Sequence, residues 1–73
     1  GKELVAIGFN ALKNNTSARR NTAVGSNSMF KNTTGKRNVA MGHLSLYYNT
    51  TGSYNTALGT HSLYNNTGSY NVA

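Results

Sequence analysis

The stretch Asn21-Thr22-Ala23-Val24-Gly25 returns as Asn38-Val39-Ala40-Met41-Gly42 and again as Asn55-Thr56-Ala57-Leu58-Gly59, each copy seventeen residues after the last. Leu12, Met29, Leu46 and Leu63 keep the same spacing, and so do Thr16, Thr33, Thr50 and Thr67. Columns that agree on one register define a tandem array, and a unit this short cannot enclose a core alone; each must be stabilised by its neighbours. The units run from Leu4 to Arg20, Asn21 to Arg37, Asn38 to Tyr54 and Asn55 to Tyr70, the last one residue short in its Asn-Thr-Gly turn. A fifth begins with Asn71-Val72-Ala73. Residues 1–73 therefore form a single array, and with no polar capping unit at either end it reads as an excerpt of a longer fibre.

Inside a unit, Asn21 to Gly25 alternates small and bulky positions, with Ala23 and Gly25 on one side and Thr22 and Val24 on the other. That is the period of a strand, and copies stacked in parallel would lie about 4.8 Å apart. A second short strand is expected over Ser28 to Lys31 and its copies, with Met29 or Leu46 turned inward. The Asn-Thr-Thr-Gly stretches Asn32 to Gly35 and Asn49 to Gly52 are expected to turn the chain, because Asn and Gly accept the positive φ of tight corners. A helical reading fails, since Gly, Asn and Thr fill every unit and the apolar spacing never settles to three or four. The fold class is all-β: a parallel β-roll or β-solenoid of seventeen-residue coils.

Two Asn columns should lock the register. Asn15, Asn32, Asn49 and Asn66 form one and Asn21, Asn38, Asn55 and Asn71 the other; stacked at strand spacing, each side-chain amide can hydrogen-bond to its copies above and below. Aliphatic burial is thin by comparison. Two large positions per coil, such as Val24 with Met29, offset less than the entropy of ordering the coil, so the chain is expected to associate. The bulky column Ile7, Val24, Met41 and Leu58 is expected to face neighbouring chains, with Ala6, Ala23, Ala40 and Ala57 filling a narrow interior and Leu12, Met29, Leu46 and Leu63 adding to the packing. The reverse orientation would leave the need for a partner unchanged.

Repeats of the form Asn55-Thr56-Ala57-Leu58-Gly59 followed by Ser62-Leu63 resemble the YadA-like head repeats of trimeric autotransporter adhesins and the related repeats of bacteriophage tail fibres. The similarity covers the whole chain. It implies a left-handed parallel β-roll in a three-fold bundle, an exception to the usual right-handed crossover. The Asn-Thr-Thr-Gly corner in each unit lengthens the repeat relative to the adhesin heads, and long Asn-Thr-Gly-rich arrays look more like tail-fibre shafts. By this resemblance the chain is a segment of a homotrimeric tail fibre in a virion, serving host attachment, with an adhesin head on a bacterial cell surface as the alternative.

Charge is uneven along the array. Lys2, Lys13, Arg19, Arg20, Lys31, Lys36 and Arg37 supply every Lys and Arg, Glu3 is the only acid, and Asn38 to Ala73 holds no Lys, Arg, Asp or Glu. Arg19-Arg20 and Lys36-Arg37 occupy equivalent corners, which a trimer would triple into a positive collar for acidic cell-surface glycans or other polyanions. Corner charges that simply keep a rod soluble and discourage edge pairing are the plainer and favoured reading. Tyr54 and Tyr70 continue the column of Arg20 and Arg37, while Tyr47 and Tyr64 continue that of Lys13 and Phe30. Arg37 over Tyr54 would make a cation–π pair, and the Tyr54–Tyr70 ladder is the sharpest candidate for glycan contact. Against it stands a purely structural aromatic ladder that shields the coil's hydrogen bonds.

Other classes find little support. A glycosidase needs two carboxylates, a Ser-His-Asp arrangement needs an Asp, and His43 and His61 fall in different columns, so no enzyme is expected. Calcium-binding rolls need Asp in each coil, and with no Cys there is neither a disulfide nor a thiolate site; no metal and no cofactor are expected. The chain is basic but carries no recognisable nucleic-acid module, and no apolar run is long enough for membrane insertion. Asn14, Asn15, Asn32, Asn49 and Asn65 match the glycosylation sequon only because the repeat generates it. An ice- or crystal-binding Thr ladder ranks last, since the neighbours Thr33-Thr34 and Thr50-Thr51 would point to opposite sides if extended.

Overall fold

A computed structural model describes residues 3–73; Lys2, counted among the basic residues, lies outside them. The described chain is all-β. Strands β1 (Val5–Ile7), β2 (Thr22–Val24), β3 (Val39–Met41) and β4 (Thr56–Leu58) form one open sheet in the order β1-β2-β3-β4, every pair parallel. The register sets Ala6 beside Ala23, Ala23 beside Ala40 and Ala40 beside Ala57, each a step of seventeen residues. A further parallel bridge joins Thr56 to Val72.

Alternation within these strands sorts the side chains as the pattern predicts. Ala23, Ala40 and Ala57 are fully buried, whereas Ile7, Met41 and Leu58 on the other side are 60%, 44% and 58% exposed. Ala6 departs from its column and is exposed, because β1 has a neighbour on one side only, whereas β4 is flanked on its far side by the Val72 bridge. Opposite the sheet, Leu12, Met29 and Leu46 are buried against the Ala column, with Leu63 partly buried beside them. The core is thus one Ala rank facing one Leu/Met rank.

The segment that carries Met29 is not the second strand expected over Ser28 to Lys31. It is a run of turns, in which Asn27 and Met29 take φ of 59° and 51° and the Ser28 and Asn32 amides donate to the Gly25 and Met29 carbonyls. Met29 still points inward, and its amide still donates to Ser45 O of the next repeat at 2.9 Å. Left-handed residues at alternate positions let some amides close local turns while others reach along the array. A regular strand would lack the first set of bonds, and a compact corner would lack the second.

The corner at Asn32 to Gly35 bends as expected but for another reason. Neither Asn32, Asn49, Gly35 nor Gly52 has a positive φ. Gly35 is required by crowding, since a Cβ there would run into the Gly52 carbonyl oxygen and come within 2.6 Å of Asn32 Oδ1. Left-handed backbone falls instead on Arg20, Arg37, Tyr54 and Tyr70, with φ from 57° to 64°, and on the glycine that ends each strand; at Gly25 φ is 126°. A Cβ on Gly25 would also stand 2.7 Å from the Gly42 carbonyl carbon, so both shape and space exclude a side chain there.

Both Asn columns form ladders. Asn38 Nδ2 donates to Asn21 Oδ1 at 3.2 Å and to Gly52 O at 3.0 Å, while the Asn38 backbone amide donates to Asn21 Oδ1 at 2.9 Å. In the other column Asn49 Nδ2 donates to Asn32 Oδ1 at 2.9 Å and also to Gly52 O at 3.0 Å. The two ladders therefore converge on the corner carbonyls, which explains why the corner is crowded and why Gly sits there. Buried amides paired in this way fix the stacking register, because a one-residue slip would leave several of them without partners.

Candidate functional site

The corner before each strand gathers one column: Glu3, Arg20, Arg37, Tyr54 and Tyr70. All five have φ between 49° and 64°, and none of them is buried. Arg20 Nε donates to Glu3 Oε1 at 3.0 Å, an exposed ion pair that contributes little to stability. The Arg37 guanidinium carbon lies 5.8 Å from the Tyr54 ring centroid, the cation–π pair expected from the sequence. Tyr54 and Tyr70 then stack at 5.0 Å with 1° between their planes. Glu3 belongs to this column by its spacing, seventeen residues before Arg20.

Arg19 and Lys36 stand in the neighbouring column. The Lys36 amide donates to Ser53 Oγ at 3.1 Å, the Arg37 amide donates to Arg19 O at 3.1 Å, and both side chains are exposed. Arg19, Arg20, Lys36 and Arg37 thus occupy two adjacent, exposed columns in the corner that precedes each strand. The packing residues divide. Leu12, Met29, Leu46 and Leu63 belong to the interior, while Ile7, Val24, Met41 and Leu58 lie on the outer face of the sheet.

A second aromatic group occupies the turn side. Phe30 stacks on Tyr47 at 5.4 Å and Tyr47 on Tyr64 at 5.4 Å, and Tyr48 stands at right angles to Tyr47 and Tyr64 at 4.9 and 5.1 Å. The Tyr64 hydroxyl is pushed above the ordinary phenol value of 10.0, first by its side-chain hydrogen bond with Tyr48, then by desolvation and by the Tyr48 and Tyr47 phenols. His43 and His61, which lie in different columns, meet diagonally with ring centroids 6.0 Å apart, because His61 N donates to His43 O across the repeat. Among the described residues no third His, Cys, Asp or Glu joins them. The Tyr48 position was missed in the sequence because it has no aromatic copies; its column reads Asn14, Lys31, Tyr48, Asn65.

Two apparent motifs dissolve in the structure. Asn32 and Asn49, formal sequon residues, are fully buried with their amides in the ladder. Thr33 Oγ1 donates to Thr50 O at 3.3 Å and Thr16 Oγ1 to Thr33 O at 3.1 Å, so these hydroxyls bond along the array. Comparison with protein-family models, curated proteins and solved structures finds no match to the chain.

Proposed function

We propose that the chain is a structural, non-catalytic segment of a homotrimeric bacteriophage tail fibre that mediates host-cell attachment. It winds as a left-handed β-solenoid of seventeen-residue coils. The observation that supports this reading is the outer face of the sheet, where Val5, Ile7, Met41, Leu58 and Val72 are all exposed beside half-buried Val24 and Val39. A contiguous apolar face of this kind favours association, and three copies around an axis would bury it. The Arg19, Arg20, Lys36, Arg37, Tyr54 and Tyr70 edge then lies at the perimeter, within reach of acidic cell-surface glycans. Its guanidinium groups and stacked rings suit carboxylates and sugar faces respectively. The sole carboxylate, Glu3, is tied to Arg20, which favours a binding role over acid–base chemistry.

Sedimentation equilibrium tests the assembly. The chain is expected to be a trimer, and Met41→Asp combined with Leu58→Asp to shift it to monomers that keep the β-type circular dichroism. A monomeric wild-type chain at every concentration sampled would refute the trimer. Host attachment is tested separately by whether the purified chain competes with virion adsorption to host cells. The adhesin alternative shares these faces, and a membrane-anchor barrel in the same polypeptide would favour it, placing the chain on a bacterial cell surface. Ice binding is disfavoured, because the Thr33 and Thr16 hydroxyls are engaged by backbone carbonyls.

A further inference from the structure

Tyr48 occupies an unusual position on the turn-side ladder. Its centroid is 4.9 Å from Tyr47 and 5.1 Å from Tyr64, nearly equidistant from two rings that are themselves 5.4 Å apart in a parallel stack. It therefore sits beside the stack near its midpoint, roughly perpendicular to both rings, with interplanar angles of 83° and 85°. Edge hydrogens against a ring face is the favourable polarity for aromatic contacts, so the arrangement holds the ring in place. Tyr48 is nonetheless 43% exposed. One repeat away in the same column stands Lys31, exposed, with its ammonium 5.7 Å from the Phe30 centroid; on the other side stands exposed Asn65. The Lys31 amide donates to Tyr47 O and the Tyr48 amide to Tyr64 O, which keeps these column neighbours on successive rungs.

We propose that the outward face of Tyr48, flanked by Lys31 and Asn65, is a stacking platform for an acidic pyranose sugar of the uronic type. A pyranose presents a patch of C–H groups on one face, and these are attracted to the electron-rich face of a ring that is already immobilised. Lys31 meets the sugar carboxylate, and the Asn65 amide meets a hydroxyl. Acidic sugars are selected over neutral ones because the chain carries a formal charge of +6 and its one acid is paired to Arg20. Single-stranded nucleic acid is a poorer fit, since it needs successive ring faces presented along one groove, whereas Phe30, Tyr47 and Tyr64 stack on one another and Tyr48 stands at right angles to Tyr47 and Tyr64. This platform lies apart from the Arg37–Tyr54–Tyr70 edge and does not depend on the oligomeric state.

Calorimetric titration of the full chain with tetragalacturonate, maltotetraose and a single-stranded oligonucleotide provides the test. Tetragalacturonate is expected to bind, and Tyr48→Ala to weaken it about tenfold, while Tyr48→Phe, which keeps the ring, stays within about twofold of wild type. Lys31→Ala is expected to remove the preference for tetragalacturonate over maltotetraose. Matching circular dichroism and thermal midpoints among the variants exclude misfolding as the cause. Unchanged binding by Tyr48→Ala, equal losses in the Ala and Phe variants, or tighter binding of the oligonucleotide than of the uronate would each overturn the proposal. A monomer that binds uronate in this way would refute only the trimeric fibre.

Discussion

At the residue scale, the buried Asn amides constrain this chain more tightly than its aliphatic side chains do. Asn38 illustrates the constraint: its amide nitrogen donates to two acceptors, Asn21 Oδ1 and Gly52 O, while its own Oδ1 accepts from the Asn55 backbone amide. Asn38→Asp keeps the shape but replaces the donor with a second acceptor, which at neutral pH places a buried anion against two oxygens. We expect a loss of about 3 kcal/mol in urea denaturation at pH 7. Burial among acceptors holds the folded-state carboxyl above its unfolded pKa, so stability should be recovered as pH falls through that raised value and lost again as pH rises. A variant insensitive to pH would contradict the ladder. The Asn columns themselves were legible from the period alone, because identical polar residues at one spacing have few other uses. The left-handed columns were not read, although a signal was present. Positions 12, 29, 46 and 63, positions 10, 27, 44 and 61, and positions 20, 37, 54 and 70 hold no Val, Ile or Thr in a chain rich in them. β-branched residues resist positive φ, so their avoidance marks these positions.

At the scale of the element, the corner is where sequence and structure part company. Its bend at Thr33-Thr34 was visible in Asn-Thr-Thr-Gly, but Gly35 serves close approach there, a property that one unit cannot display without the position of the next. The expected second strand failed likewise: inward-pointing Met29 and Leu46 satisfy a strand pattern, yet turns with alternate left-handed residues give the same inward side chains over the same length. The shortened corner at Asn66-Thr67-Gly68 has a measurable consequence. Asn49 Nδ2 donates to Asn32 Oδ1, but Asn66 Nδ2 donates to Gly68 O and not to Asn49, whose Oδ1 is buried without a partner. Inserting one Thr between Thr67 and Gly68 restores the corner of the earlier repeats. Continuation of the ladder to Asn49 should then stabilise the chain by about 1 kcal/mol, roughly 4–8 °C in the thermal midpoint of a domain of this size. An unchanged or lowered midpoint would show that the short corner has its own compensating contacts.

At the scale of the whole molecule, contacts run almost entirely from one repeat to the next, as the sheet order β1-β2-β3-β4 requires. The charge gradient does not disturb this order: Arg37 and Tyr54 exchange a cation for a ring in one column, and the pair still meets at 5.8 Å. Stability in such an array is approximately a sum of unit terms and interface terms, so what matters to the fold is the step between copies and less the identity of any one copy. Removal of residues 21–37 tests this directly, because it joins Arg20 to Asn38 and leaves the first unit one step of seventeen from the unit that then follows it. Ala6 would pair with Ala40, Leu12 with Leu46 and Asn15 with Asn49. The shortened chain should fold with the same circular dichroism per residue, and its urea m-value should fall by about one quarter as one of four repeats is lost. Removal of residues 21–36 deletes one residue fewer and displaces the following columns by one position. Ala40 would then meet the wrong side of β1 and Asn49 would miss Asn15, so that chain should lose its cooperative transition. If both deletions fold equally well, the Ala rank and the Asn ladders do not set the register, and the stacking of like residues is a consequence of the fold instead of its cause.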